Sequence, residues 1–139
     1  MPGLQLFTGV KKITTLFISE DSGPEDLEAI AVAVHSVTGL PTTIRSLKRK
    51  GLRLEKGEIL DRDYTGPVLE KVLETNEVIH EVPTEGVYKG KHVVVAPIRS
   101  KDGKAIAALG IVDILAIIDL QSIFQEYTSV LQEVENSEK

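Results

Sequence analysis

The run HVVVAPIRSKDGKAIAALGIVDI, residues 92 to 114, constrains the fold of this chain more than any other stretch. Two apolar segments flank a KDGK turn, and Asp-Gly between β-branched runs is a strong hairpin signal. With Asp102 and Gly103 in a two-residue type I′ turn, Arg99 faces Ile106, Ala96 faces Leu109 and His92 faces Asp113. One face of the ribbon then carries Val93, Val95, Pro97, Ile106, Ala108, Gly110 and Val112. The other carries His92, Val94, Ala96, Ile98, Ala105, Ala107, Leu109, Ile111 and Asp113. Both faces are apolar, so the pair belongs at the middle of a sheet covered on each side. Small residues between Ala105 and Gly110 cost strand propensity, so something must approach this surface closely. Either a tightly packed helix or a shallow cavity for a small ligand answers that requirement.

The rest of the chain supplies the layers. SEDSGPEDLEAIAVAVHSVTGLP reads as a helix, with Ser22 and Glu25 as a capping box and Pro24 in the first turn. Its buried stripe is Leu27, Ile30, Ala31, Val34 and Thr38, and Gly39 with Pro41 stops it. TTIRS is a strand, and GLRLEKGEILD a hairpin turning at Lys56 and Gly57. A second helix is capped by Thr65, carries Pro67 in its first turn and ends at Asn76; VIHEV is a further strand. KKITTLFIS favours a strand within an N-terminal segment, residues 1 to 20, whose structure the pattern does not fix. A long C-terminal helix runs from about residue 114 to 136, and residues 137 to 139 end a disordered acidic tail. Mostly antiparallel neighbours make this an α+β domain over residues 21 to 136, a central antiparallel sheet with helices packed on it.

Composition narrows function by exclusion. A chain of 139 residues is one domain by size, and its 4% of aromatics makes the core aliphatic. It has no cysteine, which removes disulfides, thiolate metal sites and cysteine nucleophiles. A net charge of −5 argues against binding nucleic acid. No apolar run reaches the roughly 20 residues of a membrane span, and the N-terminus lacks a signal-peptide pattern, so a cytoplasmic protein is expected.

Few residues promise chemistry. His92 opposite Asp113 is half of an acid–base dyad or a structural pair, and no serine is placed to make a triad. Counting back through a Lys89–Gly90 turn sets His80 opposite Arg99, away from His92, which argues against a two-histidine metal site. His35 sits at the edge of the first helix's stripe as a boundary residue. No metal or cofactor is expected. Arg45, Lys48, Arg49, Lys50, Arg53 and Lys56 form the one basic cluster, which grips an anion or lines a solvated loop. Ile117, Leu120, Phe124, Tyr127, Leu131 and Val134 are spaced 3, 4, 3, 4, 3, a seam that predicts a homodimer.

VVVAPIRS, a DG turn, AIAALGIVDI and a closing helix resemble the last strands of PAS, GAF and related sensor domains. AIAVAVHSVTGLPTTIRS with DYTGPVLEKVLE resembles a small uncharacterised family of methanogenic archaea, over residues from about 20 to 120. The resemblance implies a five- or six-stranded antiparallel sheet with helices, often dimeric, that binds a small metabolite or transmits a signal. The chain lacks the cysteine that holds bilins or flavins in some sensors. The leading expectation is a sensor-like module without an output domain, taking a small anionic metabolite near Arg45, Ala96, Arg99, Ala108 and Gly110. A pocketless homodimeric interaction protein and a small enzyme using His92 and Asp113 are the alternatives.

Overall fold

Thr42 to Ser46, Gly51 to Glu55 and Glu58 to Tyr64 form strands β1, β2 and β3, preceded by helix α1, Pro24–Thr38. Helix α2, Pro67–Thr75, and the short strand β4, Ile79–Glu81, follow; β5, Val93–Arg99, and β6, Ala105–Val112, complete the described elements. This is a computed structural model, and it describes residues 15–113. The six strands make one sheet in the order β3-β2-β1-β6-β5-β4, antiparallel at every junction. The hairpin lies inside this sheet over its described residues, 92 to 113, as its two apolar faces require.

Alternation along the strands sorts side chains to two faces, and each face receives one helix. Leu27 and Ala31 of α1 pack on Ile44, Leu52 and Leu54, over β1 and β2. Val68, Leu69 and Val72 of α2 pack on Val93, Val95, Ala108 and Val112, over β5 and β6. The small residues of β6 therefore admit α2: Ala108 is fully buried beneath it. The space above Gly110 is already taken, because a Cβ there would stand 2.8 Å from Val95 Cγ2 and 3.0 Å from Thr43 Oγ1. On the α1 face, Val94, Ala96, Ile98, Leu109 and Ile111 are only half buried, since α1 lies to one side of them.

The helix ends differ slightly from the sequence expectation. Gly23, not Ser22, is the N-cap of α1, and its N–H donates to Asp26 Oδ2 at 2.9 Å. Ser22 instead accepts the Ser19 N–H at 2.8 Å, which shapes the approach to the helix. Gly66, not Thr65, caps α2, with Pro67 following as expected. Gly39 and Asn76 end the two helices in the left-handed conformation, φ 68° and 58°. Residues 15–19 form no strand, with Leu16 and Phe17 exposed, so the strand expected in KKITTLFIS is absent from its described part. The expected C-terminal helix, its dimer seam and the tail lie outside the described residues. No described helix is long and apolar enough to cross a membrane.

The central register holds from His92 to Ile98: Ala96 pairs with Leu109, and the Asp113 N–H donates to His92 O at 2.9 Å. The turn does not follow the type I′ expectation. Gly103 alone has positive φ, its N–H donates to Ser100 O at 2.9 Å, and a bulge moves Arg99 opposite Ala105 rather than Ile106. This is a type I turn closed by a left-handed glycine, the usual three-residue hairpin loop.

Candidate functional site

The residues expected to surround a ligand do not share a cavity. Arg45, Ala108 and Gly110 lie on the α2 face, whereas Ala96 projects to the α1 face beside Leu109. Arg99 closes the end of α2, its Nε donating to Asn76 Oδ1 and its Nη2 to Asn76 O, both at 2.8 Å. Arg45 donates to Ser46 O at 2.8 Å, Thr65 Oγ1 at 2.9 Å and Leu47 O at 3.1 Å, and Glu70 lies 3.8 Å away. Both guanidinium groups are thus engaged in holding β1 and the two ends of α2, although Arg45 also lines an open surface pocket with Leu47, Glu70, Leu73 and Glu74. The basic cluster likewise disperses: Lys48 pairs with Glu20 at 2.9 Å and Arg49 with Glu25 at 3.7 Å.

His35 also has a structural task. It is 7% exposed; its Nδ1 donates to Leu40 O at 2.7 Å and its Nε2 accepts the Gly57 N–H at 2.9 Å. Because an amide N–H can only donate, Nε2 must present a lone pair, which places the ring proton on Nδ1. The ring therefore ties the end of α1 to the β2–β3 turn.

The arrangement that gathers charge, aromatic rings and a cavity is elsewhere on the α2 face. Between β4 and β5 the chain makes a loop, residues 82 to 92, closed on itself by the Gly90 N–H donating to Pro83 O at 3.0 Å. This loop reaches across β6 and β1, three strand spacings or roughly 14 Å, and sets Tyr88 beside β2. Tyr88 is buried, and its hydroxyl donates to Glu55 Oε2 at 2.6 Å. The same oxygen accepts Arg53 Nη1 at 2.9 Å, and the Arg53 guanidinium lies 6.0 Å from the centre of the Tyr64 ring. Arg53 Nε is buried and has no hydrogen-bond partner. Next to this cluster is a cavity of about 30 Å³ lined by Thr43, Tyr64, Pro67, Tyr88, Val93 and Val95 among others. That is room for one or two water molecules.

A family model described as an uncharacterised protein conserved in archaea, DUF2111, matches residues 34–115. The chain belongs to this family. The uncharacterised protein MJ0405 of Methanocaldococcus jannaschii is 42% identical to it over 114 residues, 81% of this chain and 82% of that protein. The DUF2111 match takes in every described strand, α2, the Arg53 cluster and the 82–92 loop.

The sequence reading missed this cluster for a specific reason. Arg53 and Glu55 alternate with Leu52 and Leu54, which is the pattern of a strand with one solvated face, and Tyr88 sits in a glycine-rich loop. The one available signal was the scarcity of tyrosine, three in the chain, with two of them meeting here.

Burial pushes the Tyr88 phenol well above its ordinary value of 10.0, and its hydrogen bond to Glu55 adds to that, with Arg53 opposing. Burial also raises Tyr64, again opposed by Arg53. Below pH 10 both phenols are neutral in folded and unfolded chains alike, so neither contributes pH dependence. Above pH 10 the unfolded chain releases protons that the folded one keeps, and stability falls as pH rises, by up to about 1.4 kcal/mol per pH unit for each tyrosine. Urea denaturation of Tyr88→Phe between pH 9 and 11 is therefore expected to show a shallower alkaline decline than the parent chain. An unchanged slope would mean that the phenol is not held neutral by the fold.

Proposed function

We propose that this protein is a small-molecule-binding regulatory module of the sensor type, taking a small anionic ligand on the α2 face beneath the 82–92 loop. The observation that carries this reading is Arg53. It is a half-buried cation with an orphaned Nε, and its anionic partner Glu55 is also held by Tyr88 of the loop. A half-buried guanidinium with a buried donor to spare favours a further acceptor, and a carboxylate or phosphate offers the planar or branched oxygens it prefers. The six-stranded antiparallel sheet with helices agrees with what the PAS and GAF resemblance implies. Its neighbouring cavity admits only water as it stands, so a ligand enters by moving Tyr88 and the loop aside. That motion breaks the Tyr88–Glu55 bond, about 1.5–3 kcal/mol for one hydrogen bond to a charged group, and uncovers a ring buried against Val93 and Val95, so ligand binding has to offset both.

Thermal unfolding in the presence of acetate, succinate, citrate or inorganic phosphate tests the reading. At ten times its dissociation constant a ligand adds about 1.4 kcal/mol to stability, a readable rise in Tm. At least one of these anions is expected to raise Tm at about 10 mM, and Arg53→Gln to abolish the rise. If none shifts the transition of the folded parent chain, the proposal is wrong.

A further inference from the structure

The chain contains three histidines, and His35 is consumed by its two backbone partners. The other two were expected to lie apart; the sheet register brings them together. The expected separation assumed a tight turn at Lys89–Gly90, but the 82–92 loop carries its own internal turns, and His80 meets β5 at Val94 rather than at Arg99. His80 stands opposite Val94, and His92 precedes Val94 by two residues, so both imidazoles project to the α1 face as diagonal neighbours. Their ring centres are 5.9 Å apart with planes tilted by 43°.

That separation matches two imidazoles on one ion. A zinc–nitrogen bond of about 2.0–2.1 Å plus the ring radius puts an ion roughly 3.2 Å from each ring centre, so two rings sharing it at tetrahedral or wider angles lie about 5–6 Å apart. His92 Nδ1 is buried and has no hydrogen-bond partner, so it is an unsatisfied ring nitrogen that a small shift of the His80 ring would bring to an ion. His80 is exposed on β4, the outermost strand, which leaves a path for an ion and for the waters that complete its shell.

We propose that His80 and His92 form a two-imidazole site for a divalent transition-metal ion of the Zn²⁺, Ni²⁺ or Cu²⁺ class. Imidazole nitrogen selects these ions over Mg²⁺ and Ca²⁺, which require several oxygens. Among the described residues no three His, Asp or Glu side chains gather as a ligand set, so the coordination is open and exchangeable rather than a closed structural cage. The two ligands stand at the two feet of the 82–92 loop. A bound ion therefore staples the base of that loop and pins β4, which is held by three residue pairings, to the rest of the sheet.

The test is calorimetric titration of the full chain, freed of metal by chelator, with ZnCl₂, repeated on His80→Ala and His92→Ala. One Zn²⁺ per chain is expected, with affinity weakened at least ~10-fold by either substitution, and with no heat from MgCl₂ or CaCl₂. His80 is exposed, so His80→Ala is expected to remain folded and decides the matter even if His92→Ala does not fold. No saturable Zn²⁺ binding below about 1 mM, or binding that His80→Ala leaves unchanged, overturns the proposal. The site is on the opposite face from Arg53, so its failure and that of the anion reading are separately visible.

Discussion

Gly51→Ala is expected to cost more than about 3 kcal/mol and to leave the domain largely unfolded at modest urea concentrations. Gly51 opens β2 at a place where β1 passes unusually close. A Cβ added there would stand 1.9 Å from Ile44 O and 2.8 Å from Arg45 Cα. Both are backbone atoms of a central strand, and Ile44 is fully buried, so neither can yield by a change of rotamer. Relief requires moving β1 against β6, which disturbs the pairing at the heart of the sheet. The position shows no left-handed φ, so the demand for glycine is one of close approach and not of conformation. Gly57→Ala provides the contrast: φ is 79° and nothing lies within 4 Å of the added carbon. Its cost is only the ~1–2 kcal/mol of left-handed strain. Urea denaturation followed by circular dichroism compares the two, and equal losses would show that β1 and β2 are not so tightly apposed.

His35→Leu is expected to destabilise by about 1–3 kcal/mol, because the half-buried Leu40 carbonyl and the exposed Gly57 amide lose the buried ring that joins them, and water replaces only part of what is lost. Leucine fills a similar volume but accepts nothing from the Gly57 N–H and donates nothing to Leu40 O. The loss should appear both in the urea midpoint and as faster hydrogen exchange at the Gly57 amide. A substitution as mild as one at an exposed histidine would mean the ring is a bystander.

The strands were legible because β-branched runs alternate with turn dipeptides whose chemistry is local. Lys56 and Gly57 both take positive φ, as their hairpin predicts, and the pairing from Ala96 to His92 follows from counting residues across the turn. Counting failed where a loop was not a turn. Gly90 bonds Pro83, closing a loop inside 82–92 that no two-residue turn describes, and the position of His80 was lost with it. Candidate site residues were read less well. Arg45 and Arg99 looked available because a sequence does not show that Thr65 and Asn76 will meet them. Arg53 and Glu55 looked solvated because Tyr88, which covers them, arrives from 33 residues further along the chain. Local spacing fixes the side of a strand a residue occupies; long-range topology fixes what waits there.

The pairing of β1 with β6 has a kinetic meaning. It joins Thr42 to Ile111, 69 residues further on, and it forms the middle of the sheet. Closing so large a loop is an entropic toll levied before the contact returns anything, which makes this junction slow to nucleate. During synthesis, β1 can dock on β2 early but keeps one bare flank until the ribosome has released β6. The nascent chain must hold that unpaired edge out of trouble for the 69 residues that separate Thr42 from Ile111.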